Sequence, residues 1–97
     1  MQVIYKAPHK APEVIYIPNT LEALQRAVGG HIETSTLCTD VVIISNEEAR
    51  LGDYDFNVII CEAEFFGSIL VVGAQGDKFT SLKKPKEVAA LLFGKEG

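Results

Sequence analysis

Short apolar runs alternate with turn-forming residues along this chain, and most of the runs are too short and too β-branched to be helices. Residues 3–5 and 14–17 are two such runs. Pro8 and Pro12 lie between them and exclude regular strand pairing there, since proline lacks the amide hydrogen that a sheet requires. We therefore predict two strands joined by a long, extended loop.

A second hairpin is predicted after the first helix. Residues 32–37 are threonine-rich and strand-like, residues 41–45 are an apolar run, and Thr39 and Asp40 supply the turn between them. A continuous apolar run is typical of a strand that is buried on both faces. Residues 58–61 and 69–72 are further strand candidates, and residues 75–77 form a turn that leads into residues 78–80.

Two helices are predicted from apolar residues at helical spacing. The first covers residues 20–28, with Asn19 as the N-cap, Glu22 completing a capping box, and Gly29 and Gly30 as the stop signal. Its apolar face consists of Leu21, Leu24 and Val28. The second covers residues 85–93 between Pro85 and Gly94, and its apolar face consists of Val88, Leu91 and Leu92.

This order of elements predicts an α+β fold, with a small, mostly antiparallel sheet of about five strands and two short helices. We expect residues 1–97 to form a single globular domain, because a chain of about 100 residues buries enough surface for one core. The longest apolar run has about ten residues, whereas a spanning helix needs roughly 20. We therefore expect no membrane span and a cytoplasmic protein.

Charge is the compositional feature that restricts the partners. The net charge is −4, so the chain repels phosphate backbones and we expect no nucleic-acid binding. The charge is also uneven: seven acidic residues and one base lie from Asp40 to Glu64, and five lysines and two glutamates follow Asp77. This asymmetry is typical of solvated faces of opposite sign, although it could also steer a partner.

Two cysteines, Cys38 and Cys61, are too few for a disulfide framework and lack the spacing of metal ligands. Both lie in or beside apolar runs, so we expect reduced and buried thiols, with a single disulfide as the alternative.

Three blocks of sequence resemble a known family. They are the helix and its stop over residues 19–25 and 28–33, the apolar run with its polar end from Asp40 to Glu48, and the glycine-bounded run from Gly67 to Gly73. These blocks are similar to an uncharacterised domain-of-unknown-function family of short proteins from Firmicutes, their phages and other mobile elements. The resemblance implies a bacterial cytoplasmic setting and a mobile-element origin. It implies no activity, cofactor or catalytic residue.

The polar group Asn46, Glu47 and Glu48 closes the best candidate for a buried strand, and we identify it as the candidate binding site. Asn46 could also cap a helical turn over residues 46–51, in which case the two acids would complement the helix dipole.

A metal site is the alternative interpretation of the acidic stretch 47–64. Asp53, Asp55, Asn57 and Glu64 stand at positions 1, 3, 5 and 12 of a calcium-loop pattern. The pattern also requires glycine at position 6, where this chain has Val58, and an acidic surface loop explains the same residues.

Phosphate-binding loops, dinucleotide fingerprints and hydrolase motifs are absent from the sequence. We therefore expect no cofactor and a non-catalytic binding or regulatory module. Its partner would be another protein or a second copy of the chain in a homodimer, because a small sheet leaves edges that can pair. The alternative function is binding of a small ligand or a divalent metal by the acidic stretch.

Overall fold

The structure, a computed structural model, describes residues 1–94 of the chain. In chain order its elements are β1 (Gln2–Lys6), β2 (Glu13–Tyr16), α1 (Leu21–Val28), β3 (Ile32–Cys38), β4 (Val41–Asn46), β5 (Phe56–Ile60), β6 (Ala63–Phe66), β7 (Ile69–Gln75), β8 (Lys78–Thr80) and α2 (Pro85–Phe93).

Strand β7 lies at the centre of a six-stranded sheet with the order β2-β1-β7-β4-β3. On one side β7 pairs with β4. On the other side it pairs with β1 through Ile4↔Val71 and, further along, with β8 through Gly73↔Thr80. Every pairing is antiparallel, and β5 and β6 form a separate two-stranded sheet. The predicted α+β class with a mostly antiparallel sheet is confirmed.

The large sheet is covered on both faces. One face packs against α1 and carries Val42 and Ile44, and the other packs against the β5–β6 hairpin and α2 and carries Ile43. Residues from Val42 to Asn46 are all buried. The burial of this strand on both faces, predicted from its apolar run, is therefore confirmed, as are the β1–β2 and β3–β4 hairpins.

Helix α1 begins one residue later than predicted, and its N-cap is Thr20 and not Asn19. The Thr20 Oγ1 accepts a hydrogen bond from the Ala23 amide at 3.1 Å. Asn19 instead donates its side-chain amide to the Phe79 carbonyl, so it fastens the helix start to β8. Both residue types cap helices well, and a tertiary hydrogen bond decides between them.

Helix α2 has the predicted bounds, with Pro85 in its first turn and Gly94 as its C-cap. The predicted apolar face is wrong at Leu91, whose side chain is 84% exposed. Val88, Ala89, Leu92 and Phe93 pack on the sheet, which turns the buried face away from Leu91. Neither helix within residues 1–94 is long and apolar enough to cross a lipid bilayer.

The β5–β6 hairpin contains a strand that the sequence pattern did not indicate. Ile60 pairs with Ala63, so the loop between them consists of Cys61 and Glu62 alone. Both have positive φ, 51° and 70°, which is the left-handed backbone that two-residue hairpin turns of type I′ require.

Both cysteines are exposed, which corrects the expectation that they are buried. Cys38 ends an edge strand and Cys61 is part of the two-residue turn. Their apolar neighbours face the core, but the thiols themselves do not.

Candidate functional site

Asn46 fixes the end of β4 against α1. Its side chain is only 6% exposed, and its Oδ1 accepts a hydrogen bond from the Glu48 amide at 2.8 Å. Its Nδ2 donates to the Val28 carbonyl at 3.2 Å and to the Tyr54 hydroxyl at 3.1 Å. Asn46 thus satisfies a carbonyl at the C-terminal end of α1 and an amide of the following turn, so it acts as a structural anchor.

The chain after Asn46 forms consecutive turns and not a regular helix. Ala49 donates its amide to the Asn46 carbonyl at 3.1 Å, and Leu51 donates to the Glu48 carbonyl at 3.0 Å. Asn46 therefore does not cap a helix, as one interpretation of the sequence expected; its Oδ1 accepts the Glu48 amide, two residues on, in an Asx-turn.

Two glycines bring the end of α1 close to Asn46. Gly29 has φ 82° and caps the helix, as predicted. A Cβ atom on Gly30 would lie 2.9 Å from the Asn46 Nδ2, so only glycine fits there without a shift. The backbone carbonyl of the next residue, His31, accepts a hydrogen bond from the Glu47 amide at 2.9 Å, and this bond starts the pairing of β3 with β4.

Glu47 and Glu48 are exposed, and neither forms an ion pair within residues 1–94. The three predicted binding residues therefore divide into two kinds. Asn46 is buried and holds the turn, whereas Glu47 and Glu48 present their carboxylates to water.

Within residues 1–94, strand β3 is the outermost strand on this side of the sheet and pairs only with β4. His31 and Glu47 form a hydrogen-bonded pair. Hydrogen-bonded and non-hydrogen-bonded pairs alternate along an antiparallel ladder, so the next hydrogen-bonded pairs are Glu33–Ser45 and Ser35–Ile43. The backbone amide and carbonyl groups of the alternate residues of β3 lie in the plane of the sheet and point away from β4. These residues are Ile32, Thr34 and Thr36.

The two edges of the large sheet differ in protection. Strand β2 has four residues and is flanked by Pro12 and Pro18, which is how native proteins block an edge. Strand β3 has seven residues, no proline and no lysine, and a register shift disturbs it only between Thr36 and Cys38. A regular stretch at 32–36 is therefore open to a further strand.

The surroundings of β3 are acidic. No lysine or arginine lies between Arg26 and Arg50, while four exposed acids do: Glu33, Asp40, Glu47 and Glu48. Arg50 shares a small hollow with Glu33, but its guanidinium donates to the Glu64 carbonyl at 3.0 Å and forms no ion pair. The open edge and its surroundings thus carry four exposed acids that form no ion pair within residues 1–94, and Arg50 is the neighbouring cation that partly offsets them.

The residues of the calcium-loop pattern lie on different elements. Asp53 lies in a turn, Asp55 precedes β5, and Glu64 belongs to β6, opposite Ile59 of β5. Asp55 contacts the imidazole of His9 at 3.3 Å, with both side chains exposed. Within residues 1–94, no three His, Cys, Asp or Glu residues form a group that could hold a metal ion.

The amide of Asn57, the remaining member of that pattern, is used in structural hydrogen bonds. Its Nδ2 donates to the Lys6 carbonyl at 2.9 Å and to the Gly67 carbonyl at 2.7 Å, and its Oδ1 accepts from the Lys6 ammonium at 2.9 Å. These bonds tie β5 to β1. Partial burial lowers the pKa of the Lys6 ammonium, because desolvation disfavours its charged form.

The sequence analysis named Glu47 and Glu48 and predicted a strand over residues 32–37, but it did not identify that strand as an open edge of the sheet. The length of β3 and its lack of proline and lysine were visible in the sequence, whereas its position at the edge follows from the pairing of β4 with β7.

One comparison with known proteins gives a match. A family model described as a domain of unknown function, DUF3846, matches residues 1–92. No curated protein and no solved structure matches the chain.

Proposed function

The chain belongs to the family with the domain of unknown function DUF3846, and from its surfaces we propose that it is a non-catalytic binding module. It takes an extended, basic segment of a partner protein as an additional strand on the open edge of β3.

The observation that carries this proposal is the set of outward-facing backbone groups on Ile32, Thr34 and Thr36. Three amides and three carbonyls in register offer up to six hydrogen bonds to an incoming strand. Addition of a strand to a sheet edge derives its affinity from such main-chain bonds and its selectivity from alternate side chains. On the side away from α1, the incoming strand would lie beside Glu33.

Charge identifies the kind of partner. Like charges directly opposite each other in a sheet are destabilising, and opposite charges are stabilising. A second copy of the chain would bring an identical acidic edge and a net charge of −4 against the first. A segment with lysine or arginine at alternate positions complements Glu33 and the neighbouring Glu47, so the proposed occupant is a basic strand.

The setting of this binding is also a proposal. The resemblance to short proteins of Firmicutes, their phages and mobile elements supports a cytoplasmic accessory role, with residues 1–97 acting as one domain. The genes next to those of family members test it: phage or conjugation genes would support the proposal, and housekeeping operons would contradict it.

The binding experiment uses a displayed library of random ten-residue peptides. The variants are Thr34→Pro, which removes an outward amide without breaking the ladder with β4, and the matched control Thr34→Val, which keeps that amide. Far-UV circular dichroism of both variants verifies that the sheet is intact. Peptides selected on the wild type should be rich in Lys and Arg, should bind Thr34→Val with unchanged affinity, and should lose at least tenfold on Thr34→Pro (about 1.4 kcal/mol).

Selected peptides that bind Thr34→Pro as well as the wild type, or that are acidic, would contradict the proposal. Sedimentation of the purified variants tests the other possible occupant of the edge, which is a second copy of the chain. If the wild type and Thr34→Val are dimers and Thr34→Pro is a monomer, the edge pairs with a second copy and the assignment of a basic partner is wrong.

A further inference from the structure

A cleft of about 550 Å³ lies at the end of the sheet where β4 begins and β7 ends. Its walls come from three places: the β3–β4 turn, the β7–β8 turn and the connection from β8 to α2. Small-molecule sites in proteins occupy roughly 300–1,000 Å³, so this cleft has the volume of such a site. It is separate from the outward groups of Ile32, Thr34 and Thr36.

The floor of the cleft is apolar, and a backbone hydrogen bond joins two of the elements that form it. It consists of Val41, Gly73, Ala74 and Leu82, of which Leu82 is only 3% exposed. The Ala74 amide donates to the Asp40 carbonyl at 3.0 Å, which fastens the β3–β4 turn to β7. An apolar floor of this kind favours a ligand that has an apolar body.

The two charged residues of the rim lie on different walls. Asp40 comes from the β3–β4 turn and Lys83 from the connection between β8 and α2, and both are exposed. They form no ion pair with each other or with any other residue from 1 to 94, so their charged atoms are more than 4.0 Å apart. Among residues 1–94, the Asp40 Oδ1 accepts a single weak hydrogen bond, from the Cys38 thiol at 3.5 Å.

We propose that this cleft binds a small zwitterion with an apolar body, of the class of a hydrophobic dipeptide with free termini. The ligand's ammonium would meet Asp40, its carboxylate would meet Lys83, and its side chains would cover the apolar floor. A dipeptide suits the cleft better than a single amino acid, because two extended residues span about 7 Å and their two side chains fill more of the 550 Å³ volume.

Three related probes test the assignment of each charge. They are leucyl-leucine, N-acetyl-leucyl-leucine, which lacks the ammonium, and leucyl-leucinamide, which lacks the carboxylate. Each is titrated into ¹⁵N-labelled full-length protein while amide chemical shifts are recorded. Leucyl-leucine should give saturable shifts at Val41, Gly73, Ala74 and Leu82, and each blocked probe should bind about threefold to fivefold more weakly.

Two variants complete the test. Asp40→Asn should weaken the binding of leucyl-leucine by the same factor, so that it binds no more tightly than the N-acetyl probe. Lys83→Gln should likewise make the affinity for leucyl-leucine equal to that for the amide probe. The absence of saturable shifts, equal affinity for all three probes, or shifts confined to another surface would overturn the proposal. Thr34→Pro should bind leucyl-leucine like the wild type, so failure of the cleft and failure of the β3 edge are distinguishable.

Discussion

The two-residue turn of the β5–β6 hairpin offers a direct test of backbone strain. Cys61 and Glu62 both have left-handed backbone, although type I′ turns favour Asn followed by Gly at these positions. Side chains with a Cβ atom are crowded in this conformation, whereas glycine adopts it freely. We predict that Glu62→Gly stabilises the protein and that the double change Cys61→Asn with Glu62→Gly stabilises it further.

The magnitude follows from two opposing effects. Left-handed backbone costs a residue other than glycine about 1–2 kcal/mol. Glycine loses more conformational freedom on folding than other residues, which offsets about 0.5–1 kcal/mol of that gain. Glu62→Gly should therefore raise the free energy of unfolding by about 0.5–1 kcal/mol. For a chain of this size that corresponds to a Tm increase of about 2–8 °C.

Urea denaturation followed by far-UV circular dichroism measures this difference, because the chain has no tryptophan. The matched control is Glu64→Gly, since Glu64 is also an exposed acid of this hairpin but does not have positive φ. It should lower the free energy of unfolding by about 0.5–1 kcal/mol. The reasoning is refuted if Glu62→Gly destabilises the protein to the same extent as the control.

Four further changes have defined outcomes. Asn46→Ala leaves a turn amide and a helix carbonyl unpaired, so it should lower the free energy of unfolding by about 3 kcal/mol, measured by urea denaturation. Gly73→Ala places a Cβ against the Ser81 carbonyl and should lower the melting temperature through a loss of about 1–3 kcal/mol; an unchanged Tm would contradict the contact. Thr20→Ala should cost about 1 kcal/mol, and a loss near zero would exclude Thr20 as the N-cap. The pKa of Lys6 is lower in the folded protein than in the unfolded chain. The charged ammonium therefore lowers stability at a pH below both pKa values, and this cost disappears as the pH rises from the folded-state pKa to the unfolded-state pKa. The urea midpoint of the wild type should therefore rise relative to Lys6→Met across this alkaline window, and a constant difference would contradict the lowered pKa.

Most of the sheet could be predicted because its strands carry strong local signals. The continuous apolar run within β4 indicated burial on both faces, and the two prolines before β2 indicated a long loop. The glycines after Val28 and the proline at position 85 marked where helices end and begin. In each case the physical cause is confined to a few neighbouring residues.

Strand β6 and the exposure of the cysteines were not predictable in the same way. The turn before β6 lacks the Asn-Gly signal, so nothing separated β5 from β6 in the sequence. Cys38 follows the edge strand's register shift, and its exposure depends on how β3 pairs with β4. Pairing between distant strands decides these features, and local patterns do not contain it.

The candidate site shows the same division. Glu47 and Glu48 could be selected from the sequence, because polar residues at the end of a buried strand often face a partner. That Asn46 is an anchor, and that β3 forms an open edge beside these acids, required the structure.

The central position of β7 determines when this protein can fold during its synthesis. Residues of β1 pair with β7 across some 65 positions of chain, for example Ile4 with Val71, and β4 also pairs with β7. On the ribosome, both earlier hairpins emerge well before the strand that joins them. The nascent chain therefore exposes two apolar surfaces until Gln75 has left the exit tunnel, and during this interval the unpaired strands are prone to aggregation.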